Sequence, residues 1–180
     1  MSLEPADVQR LLDHDGAQRA FDSALGFLSY RPRSEAEIRR NLERKRIPPE
    51  RIDDALARLR RAGLVDDAAF ARYWIENRDA FSPRGGRALR AELRTKGIGD
   101  EEARAALEDG RDEAAGAYAA GERKARQLRG LDRRTFRQRL GAFLARRGFS
   151  YDSISQAVDR LYAEPGAMTT DDEPEGESAG

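Results

Sequence analysis

Residues 89–98 read LRAELRTKGI, and a related pattern occurs 51 residues earlier and again 51 residues later in the chain. The earlier copy, residues 38–47, reads IRRNLERKRI, and the later copy, residues 140–149, reads LGAFLARRGF. In each copy, two apolar residues four positions apart predict one buried face of a helix. A fixed repeat period predicts structural units that stack on their neighbours, because a unit of this size buries little surface by itself.

Start and stop signals predict three helices in each copy. Residues 34–37, Ser-Glu-Ala-Glu, predict a capping box in which the serine and the second glutamate both satisfy free backbone donors at the start of the second helix. In copy two, Ser82 and Pro83 predict the equivalent start, and Gly97 predicts a left-handed residue that ends the helix. The other signals are the stop and start at Pro48-Pro49, the N-caps Asp132 and Ser150, and the stops Gly63, Gly110 and Gly148.

We therefore predict an all-α fold of about nine helices, arranged as an elongated array of three tandem three-helix repeats. The predicted boundaries are an N-terminal arm at 1–19, repeats at 20–63, 64–110 and 111–162, and a disordered acidic C-terminal tail at 163–180. The tail contains six acidic residues and no basic one, which together with its Gly, Ser and Pro residues is typical of disorder. The chain shows neither a run of about 18 apolar residues nor a signal peptide, and this favours a cytoplasmic location.

Few residues of the chain are suited to catalysis, so the sequence predicts that the protein is not an enzyme. Cysteine is absent and His14 is the only histidine, which leaves no ligand set for a zinc site. The acidic residues at 53–54, 66–67 and 100–102 lie at or near predicted helix starts, where negative charge complements the helix dipole. We expect no catalytic residue, no metal and no cofactor, and we interpret the chain as a binding protein.

The formal net charge is zero, but the basic residues are concentrated in repeat three. Residues 121–162 contain 11 basic and 4 acidic residues, which favours a polyanion or an acidic protein surface as partner, and the acidic tail could screen this charge. Pairing with nearby acids such as Glu43 and Glu92 is the alternative role of such arginines. The predicted partner-binding residues lie along the second helices of repeats two and three: Arg87, Arg90, Arg94, Lys96, Arg133, Arg134, Arg137, Arg139, Arg146 and Arg147.

The larger aromatic residues are predicted to lie in the core. Phe70, Trp74, Phe143 and Phe149 all fall on the apolar stripes of predicted helices. Exposed rings for base stacking are therefore not expected, which disfavours sequence-specific recognition of nucleic acids. Contacts to a phosphate backbone or to a protein surface are the favoured mode of binding.

Four segments together resemble the RecX-type regulators of the bacterial RecA recombinase. They are residues 24–38, 63–71, 92–98 and 144–150, and they follow the order of that family's recurring segments. The resemblance spans residues 20–162. Departures from the family pattern are the weakly matching first helix of copy three, the two acidic ends, and Arg46, which stands where the other copies have glycine.

The resemblance implies a non-enzymatic regulator of DNA recombination, DNA repair and the SOS response that binds along the groove of the recombinase filament on single-stranded DNA. It further implies inhibition of ATP hydrolysis, strand exchange and filament growth, although some family members act positively. The expected partners are the filament and single- or double-stranded DNA, with no membrane, and the chain is expected to be a monomer. The alternatives are a general helical nucleic-acid-binding protein that acts through its basic third repeat, and a repeat adaptor for another protein.

Overall fold

The computed structural model describes the backbone of residues 5–164 and the side chains of residues 15–164. Over these residues the chain forms nine helices and no strand, so the predicted all-α fold is confirmed. The predicted arm is described from Pro5, where it forms the first part of α1, whereas the side chain of His14 and the tail from position 165 lie outside the described residues. The helices are α1 (Pro5–Leu28), α2 (Glu35–Arg44), α3 (Pro49–Arg61), α4 (Asp67–Phe81), α5 (Gly86–Thr95), α6 (Asp100–Glu108), α7 (Glu113–Gln127), α8 (Arg133–Arg146) and α9 (Tyr151–Ala163).

Several helices begin where a polar side chain accepts a hydrogen bond from a free backbone N–H. At the start of α2, the backbone N–H of Glu37 donates to Ser34 Oγ at 3.2 Å. The predicted N-caps Asp132 and Ser150 accept equivalent bonds at the starts of α8 and α9, at 3.0 and 3.3 Å. These caps satisfy donors that have no partner within the helix, which confirms the three predicted starts.

Two features of the predicted helix starts are wrong, and in both cases a distant residue is the reason. Helix α5 begins at Gly86 and not directly after Ser82, because the Glu113 carboxylate accepts a bond from the Gly86 N–H at 2.6 Å and complements the helix dipole. Glu37 does not complete the capping box of α2. Its carboxylate instead accepts bonds from Arg31 and from Lys96.

Helices α2, α5 and α8 end in the same left-handed turn. The N–H of Ile98 donates to the carbonyl of Leu93 at 3.0 Å across Gly97, whose φ is 83°. The equivalent residues Gly148 and Arg46 have φ values of 87° and 60°, and the equivalent bonds measure 3.4 and 3.2 Å. The predicted glycine stops are therefore confirmed, as are those at Gly63 and Gly110 with φ of 67° and 65°. The stop of α2 is this turn at Arg46, whereas Pro48 and Pro49 only start α3.

The described chain divides into two compact units. The first unit takes the chain up to Glu76 together with Arg90–Asp109, and the second unit takes Asn77–Leu89 together with the chain from Gly110. Because the divisions fall inside α4 and α5, these two helices contribute residues to both units. This division does not test the predicted repeat boundaries, which stay a prediction.

Each unit has its own apolar core. The predicted stripes of α2 and α8 are fully buried, since Ile38, Leu42, Leu140 and Leu144 have no exposed surface. Burial of such stripes is the main stabilising contribution to helices as short as these. The buried core of the first unit comprises Ala24, Ile38, Leu42, Ile52, Leu56, Leu59 and Val65. The buried core of the second unit comprises Ala117, Ala125, Leu128, Phe136, Leu140, Leu144, Phe149, Ala157, Val158 and Leu161.

Within the first unit, the start of α2 packs on the turn that ends α5, and we name this contact the first junction. Ser34 Oγ donates to the carbonyl of Lys96 at 2.6 Å while accepting the capping bond described above, so this fully buried hydroxyl is satisfied in both directions. The Arg40 guanidinium donates to the carbonyl of Thr95 at 3.1 and 3.2 Å. A Cβ placed on Gly97 would lie 2.3 Å from that of Ala36, which shows how closely the two segments approach.

Within the second unit, the start of α5 packs in the same way on the turn that ends α8, and we name this contact the second junction. The N–H of Gly85 donates to the carbonyl of Arg147 at 3.0 Å, and the N–H of Arg87 donates to the carbonyl of Gly148 at 3.3 Å. Gly85 and Arg147 follow Ser34 and Lys96 by 51 residues each. The sequence repeat therefore corresponds to a repeated contact between neighbouring copies.

Candidate partner-binding surface

Four of the ten predicted partner-binding residues are engaged in contacts within their own unit. Lys96 Nζ lies 2.7 Å from the Glu37 carboxylate, and Arg94 lies 3.2 Å from the carboxylate of Asp100. In the second unit, Arg87 donates to the carbonyl of Ala145 at 2.8 Å, and the guanidinium of Arg147 lies over the Phe143 ring at 4.8 Å. The structure therefore assigns all four side chains an intramolecular contact.

Two further predicted residues share one acid. Arg137 lies 3.0 Å from the carboxylate of Asp159, which belongs to α9, and it also donates to Ser155 Oγ at 2.9 Å. Arg133 lies 3.6 Å from the same carboxylate. The sequence indicated too few acids in repeat three to pair with its arginines, but Asp159 alone partners two of them.

The other four predicted residues are exposed and form no ion pair with any residue between 15 and 164: Arg90, Arg134, Arg139 and Arg146. Arg139 and Arg146 are seven residues apart on α8, so two helical turns place them on the same side. Guanidinium groups in this state keep all their donors for a partner's carboxylates or phosphates. Of the predicted set, these four residues are the best suited to bind a partner.

An open groove of about 770 Å³ lies at the first junction, and the sequence prediction missed it. Its charged lining residues are Arg33, Glu37, Arg40, Glu43, Arg44 and Lys96, which gives an excess of two positive charges. The Arg33 guanidinium lies over the Phe27 ring at 3.9 Å, and burial and the neighbouring charge of Arg31 lower the pKa of Arg33. One sequence signal was available, because the pair Pro32-Arg33 recurs 51 residues later as Pro83-Arg84.

Glu37, which lines this groove, joins two cations. Its carboxylate accepts bonds from Arg31 at 2.9 Å and from Lys96 at 2.7 Å, and Lys96 Nζ also lies over the Trp74 ring at 4.6 Å. Burial raises the pKa of Glu37, but hydrogen bonds from Arg31 and Lys96 outweigh burial and lower its pKa to about 2. The ionised Glu37 therefore stabilises the folded state of the first unit.

Substitution of Glu37 by glutamine is expected to lower the free energy of unfolding by about 2 kcal/mol at pH 7, less than the full pKa shift implies because water screens part of the interaction. The folded-state pKa is depressed, so this contribution is complete above pH 4.5, the ordinary pKa of Glu, and is lost as pH falls through about 2. The measurement is urea unfolding between pH 3 and 7 followed by the fluorescence of Trp74, the only tryptophan.

The matched control for this variant is Glu43→Gln, which removes an exposed acid of the same helix that forms no described ion pair. We expect it to change the free energy of unfolding by less than about 0.5 kcal/mol. A loss in the Glu37 variant that has the same size at pH 3 and at pH 7 would show that the charge of Glu37 is not the cause.

Three aromatic side chains are largely exposed, contrary to the sequence prediction that no ring is available for stacking. Tyr30, Phe81 and Tyr151 are 84%, 83% and 78% exposed. The prediction was correct for Phe70 and Phe149, which are buried, whereas Trp74 and Phe143 are only half-buried. It failed because it considered only rings on helix stripes, whereas Tyr30 follows the end of α1 and Phe81 is the last residue of α4.

The described residues include no cluster of metal-ligating side chains and no membrane-spanning helix. Between residues 15 and 164, no three His, Asp or Glu side chains lie close enough together to hold a metal ion. Among the described helices, none combines the length and the apolar composition required to cross a bilayer. Exposed arginines, exposed rings and a basic groove are features of binding surfaces.

Three models of protein-family domains match the chain in tandem. The model described as the first three-helix domain of RecX matches residues 20–59, the second matches residues 66–107, and the third matches residues 112–158. These matches confirm the predicted order of three three-helix units.

Individual relatives match over most of the chain. The regulatory protein RecX of Prosthecochloris aestuarii is 38% identical over 80% of this chain and 94% of its own length, and that of Streptomyces coelicolor is 34% identical over 86% and 84%. The crystal structure of RecX from Lactobacillus salivarius is similar with a TM-score of 0.75 and 25% identity, over 82% of this chain and 97% of that chain. A second crystal structure, of regulatory protein RecX, has a TM-score of 0.77 and 26% identity over 88% and 79%.

Proposed function

The chain belongs to the RecX family of regulatory proteins, and on this premise we propose that it binds a recombinase filament on single-stranded DNA and inhibits it. Inhibition affects ATP hydrolysis, strand exchange and filament growth. The protein acts by binding and not by catalysis, and it acts as a monomer.

Exposed arginines of α8 support this proposal most directly. Arg139 and Arg146 lie on the same side of that helix and have no ion-pair partner among the described residues. Exposed arginines that have no ion-pair partner can form new ion pairs at an interface with an acidic protein surface. Affinity rises through multivalency when tandem units each make a modest contact with successive filament subunits. A ligand that prefers one state of the filament also shifts the population towards that state.

The test is the double substitution R139E/R146E, which reverses both charges without touching a described intramolecular contact. We expect the concentration needed for half-inhibition of the recombinase ATPase to rise about tenfold or more, because each reversal replaces an attraction by a repulsion at the interface. ATP hydrolysis and strand exchange by the recombinase of the same host are measured while each variant is titrated in.

The matched control is R61E/R72E, which changes the net charge by the same amount at two exposed arginines of the first unit that have no described partner. Far-UV circular dichroism checks that both variants are folded. Inhibition by R139E/R146E that equals inhibition by R61E/R72E would contradict a specific role of α8. Equal binding of the native protein to the filament and to bare DNA at physiological salt would favour the alternative function, general nucleic-acid binding through the third repeat.

A further inference from the structure

Two exposed rings occupy the same position in two copies of the repeat. Tyr30 and Phe81 are 51 residues apart, and they are 84% and 83% exposed. Keeping an aromatic ring in water forgoes the favourable free energy of its burial, so the recurrence of such a ring at an equivalent position points to a partner that covers it. In the third copy the equivalent position is Asp132, which caps α8.

Each ring is followed by a proline and an arginine at a fixed spacing. The first segment reads Tyr-Arg-Pro-Arg from position 30, and the second reads Phe-Ser-Pro-Arg from position 81. In the first unit, the stacking of Arg33 on Phe27 holds its guanidinium in the wall of the basic groove. An exposed ring and a positioned cation therefore lie within three residues of each other, on a segment that proline stiffens.

The groove at the first junction, which Arg33 lines, is electropositive although two acids also line it. Glu37 is neutralised by Arg31 and Lys96, as described above, so its negative charge is not available to repel an anionic ligand. Arg44 is exposed and has no ion pair with any described residue, and Arg33 faces the groove. The volume of about 770 Å³ is within the range of ordinary ligand sites, and the groove is open to solvent.

The second unit contains the corresponding cations. Arg84 and Arg147 stand at the positions of Arg33 and Lys96, 51 residues later. Burial lowers the pKa of Arg147, and the positive charge of Arg84 lowers it further.

We propose that the two junctions are equivalent sites for single-stranded nucleic acid. Tyr30 and Phe81 each stack on one base, and the cations of the adjoining junction bind the neighbouring phosphates. A flat exposed ring beside a row of cations is the combination that single-strand binding proteins use, because every base has a face that stacks and every nucleotide carries a phosphate. A duplex keeps its base faces covered, and an acidic peptide supplies anions but no partner for the ring.

The experiment measures fluorescence anisotropy of a labelled oligodeoxythymidine of about 20 nucleotides with the full chain, at several salt concentrations. The Y30A/F81A variant is expected to bind at least about 30-fold more weakly, since each stacked base contributes about 1 to 3 kcal/mol. Its salt dependence is expected to stay close to that of the native chain, because the rings contact no phosphate. The R33Q/R44Q variant is expected to bind more weakly and to show a flatter salt dependence, because fewer counterions are released.

Tyr151→Ala is the matched control, since this ring is 78% exposed but is not followed by the Pro-Arg pair. It is expected to bind the oligonucleotide like the native chain, and Y30W/F81W is expected to retain binding. Native-like affinity of Y30A/F81A, equally tight binding of a duplex of the same length, or displacement by an equal concentration of polyglutamate would each overturn the inference.

This inference does not rest on the filament proposal, and the two can fail separately. A Y30A/F81A protein that no longer binds the oligonucleotide but still inhibits the recombinase supports both. An R139E/R146E protein that binds the oligonucleotide normally but no longer inhibits also supports both. Loss of both properties in Y30A/F81A, with native melting, supports the nucleic-acid sites and shows that inhibition depends on them.

Discussion

Substitution of Gly148 by alanine is expected to lower the free energy of unfolding by about 3 to 5 kcal/mol. The new Cβ would lie 2.5 Å from the backbone nitrogen of Ala88 and 2.6 Å from its Cβ. The φ of Gly148 is +87°, which is itself unfavourable for a residue with a side chain. Because the obstructing atom belongs to the backbone, α5 has to move away from the turn after α8, and this breaks the hydrogen bonds of the second junction.

Urea unfolding followed by far-UV circular dichroism measures this loss, and two other glycines calibrate it. Gly63 and Gly110 have φ values of +67° and +65°, but no heavy atom lies within 4 Å of a Cβ placed on either. Gly63→Ala and Gly110→Ala are therefore expected to lose only about 1 kcal/mol, from the backbone conformation alone. A Gly148→Ala protein that is no less stable than these two would show that the second junction is not closely packed.

The first junction allows the collision and the backbone strain to be separated. In Gly97→Ala the new Cβ would lie 2.3 Å from the Cβ of Ala36 and 3.7 Å from its Cα, so the obstructing atom belongs to a side chain. Combining Gly97→Ala with Ala36→Gly removes that collision and is expected to restore part of the lost stability, visible as non-additivity in a double-mutant cycle. In the second junction, Ala88→Gly is expected to restore less, because the backbone nitrogen of Ala88 remains in place.

Arg46 is the complementary control for the same turn. Arg46 has the left-handed conformation, with a φ of 60°. It belongs to the first copy, so no preceding copy packs on this turn as copies one and two pack on the turns at Gly97 and Gly148. Arg46→Gly is expected to raise stability by about 1 kcal/mol, whereas Arg46→Ala, which keeps the strain, is not. This contrast also explains why the first copy has Arg46 where the other copies have glycine. Glycine is required where two copies meet and is dispensable where they do not.

The helices could be predicted because their signals are local. Apolar residues four positions apart, such as Ile38 and Leu42, and a glycine a few residues later determine where a helix lies and where it ends. The start of α5 could not be predicted in this way, because its partner Glu113 is 27 residues away along the chain. Glu37 shows the same limit. Its local pattern predicts a capping box, but its carboxylate accepts a hydrogen bond from Lys96, which lies in the next copy of the repeat.

The binding surface was only partly predictable for the same reason. The sequence shows an excess of arginine in repeat three. Only the packing of α9 on α8 shows that Asp159 forms ion pairs with Arg133 and Arg137, whereas Arg139 has no ion pair among the described residues. The exposed rings could have been predicted from the sequence. Tyr30 and Phe81 differ in identity, so comparing chemical types at a shift of 51, and not only apolar stripes, would have found them.

Arg111, a buried arginine of the second unit, is the other residue whose substitution is expected to lower the free energy of unfolding strongly. The Arg111 side chain is only 7% exposed and binds Asp79 with two parallel hydrogen bonds of 2.8 Å each. It also donates to the carbonyl of Arg84 and lies 3.8 Å from the carboxylate of Glu113. One guanidinium therefore joins the end of α4, the segment before α5 and the start of α7.

Arg111→Ala is expected to lower the free energy of unfolding by about 3 kcal/mol, because it leaves Asp79, whose side chain is 32% exposed, without its partner and removes the donor of the Arg84 carbonyl. Arg111→Lys is expected to recover less than half of this loss, since an ammonium group cannot form both parallel bonds. Arg133→Ala, which breaks an exposed ion pair of the same unit, is expected to lose less than about 0.5 kcal/mol. Urea unfolding in low salt and in 1 M salt separates the two classes, because only the exposed pair is screened. Equal losses in Arg111→Ala and Arg133→Ala would show that burial of Arg111 adds nothing to its interaction with Asp79.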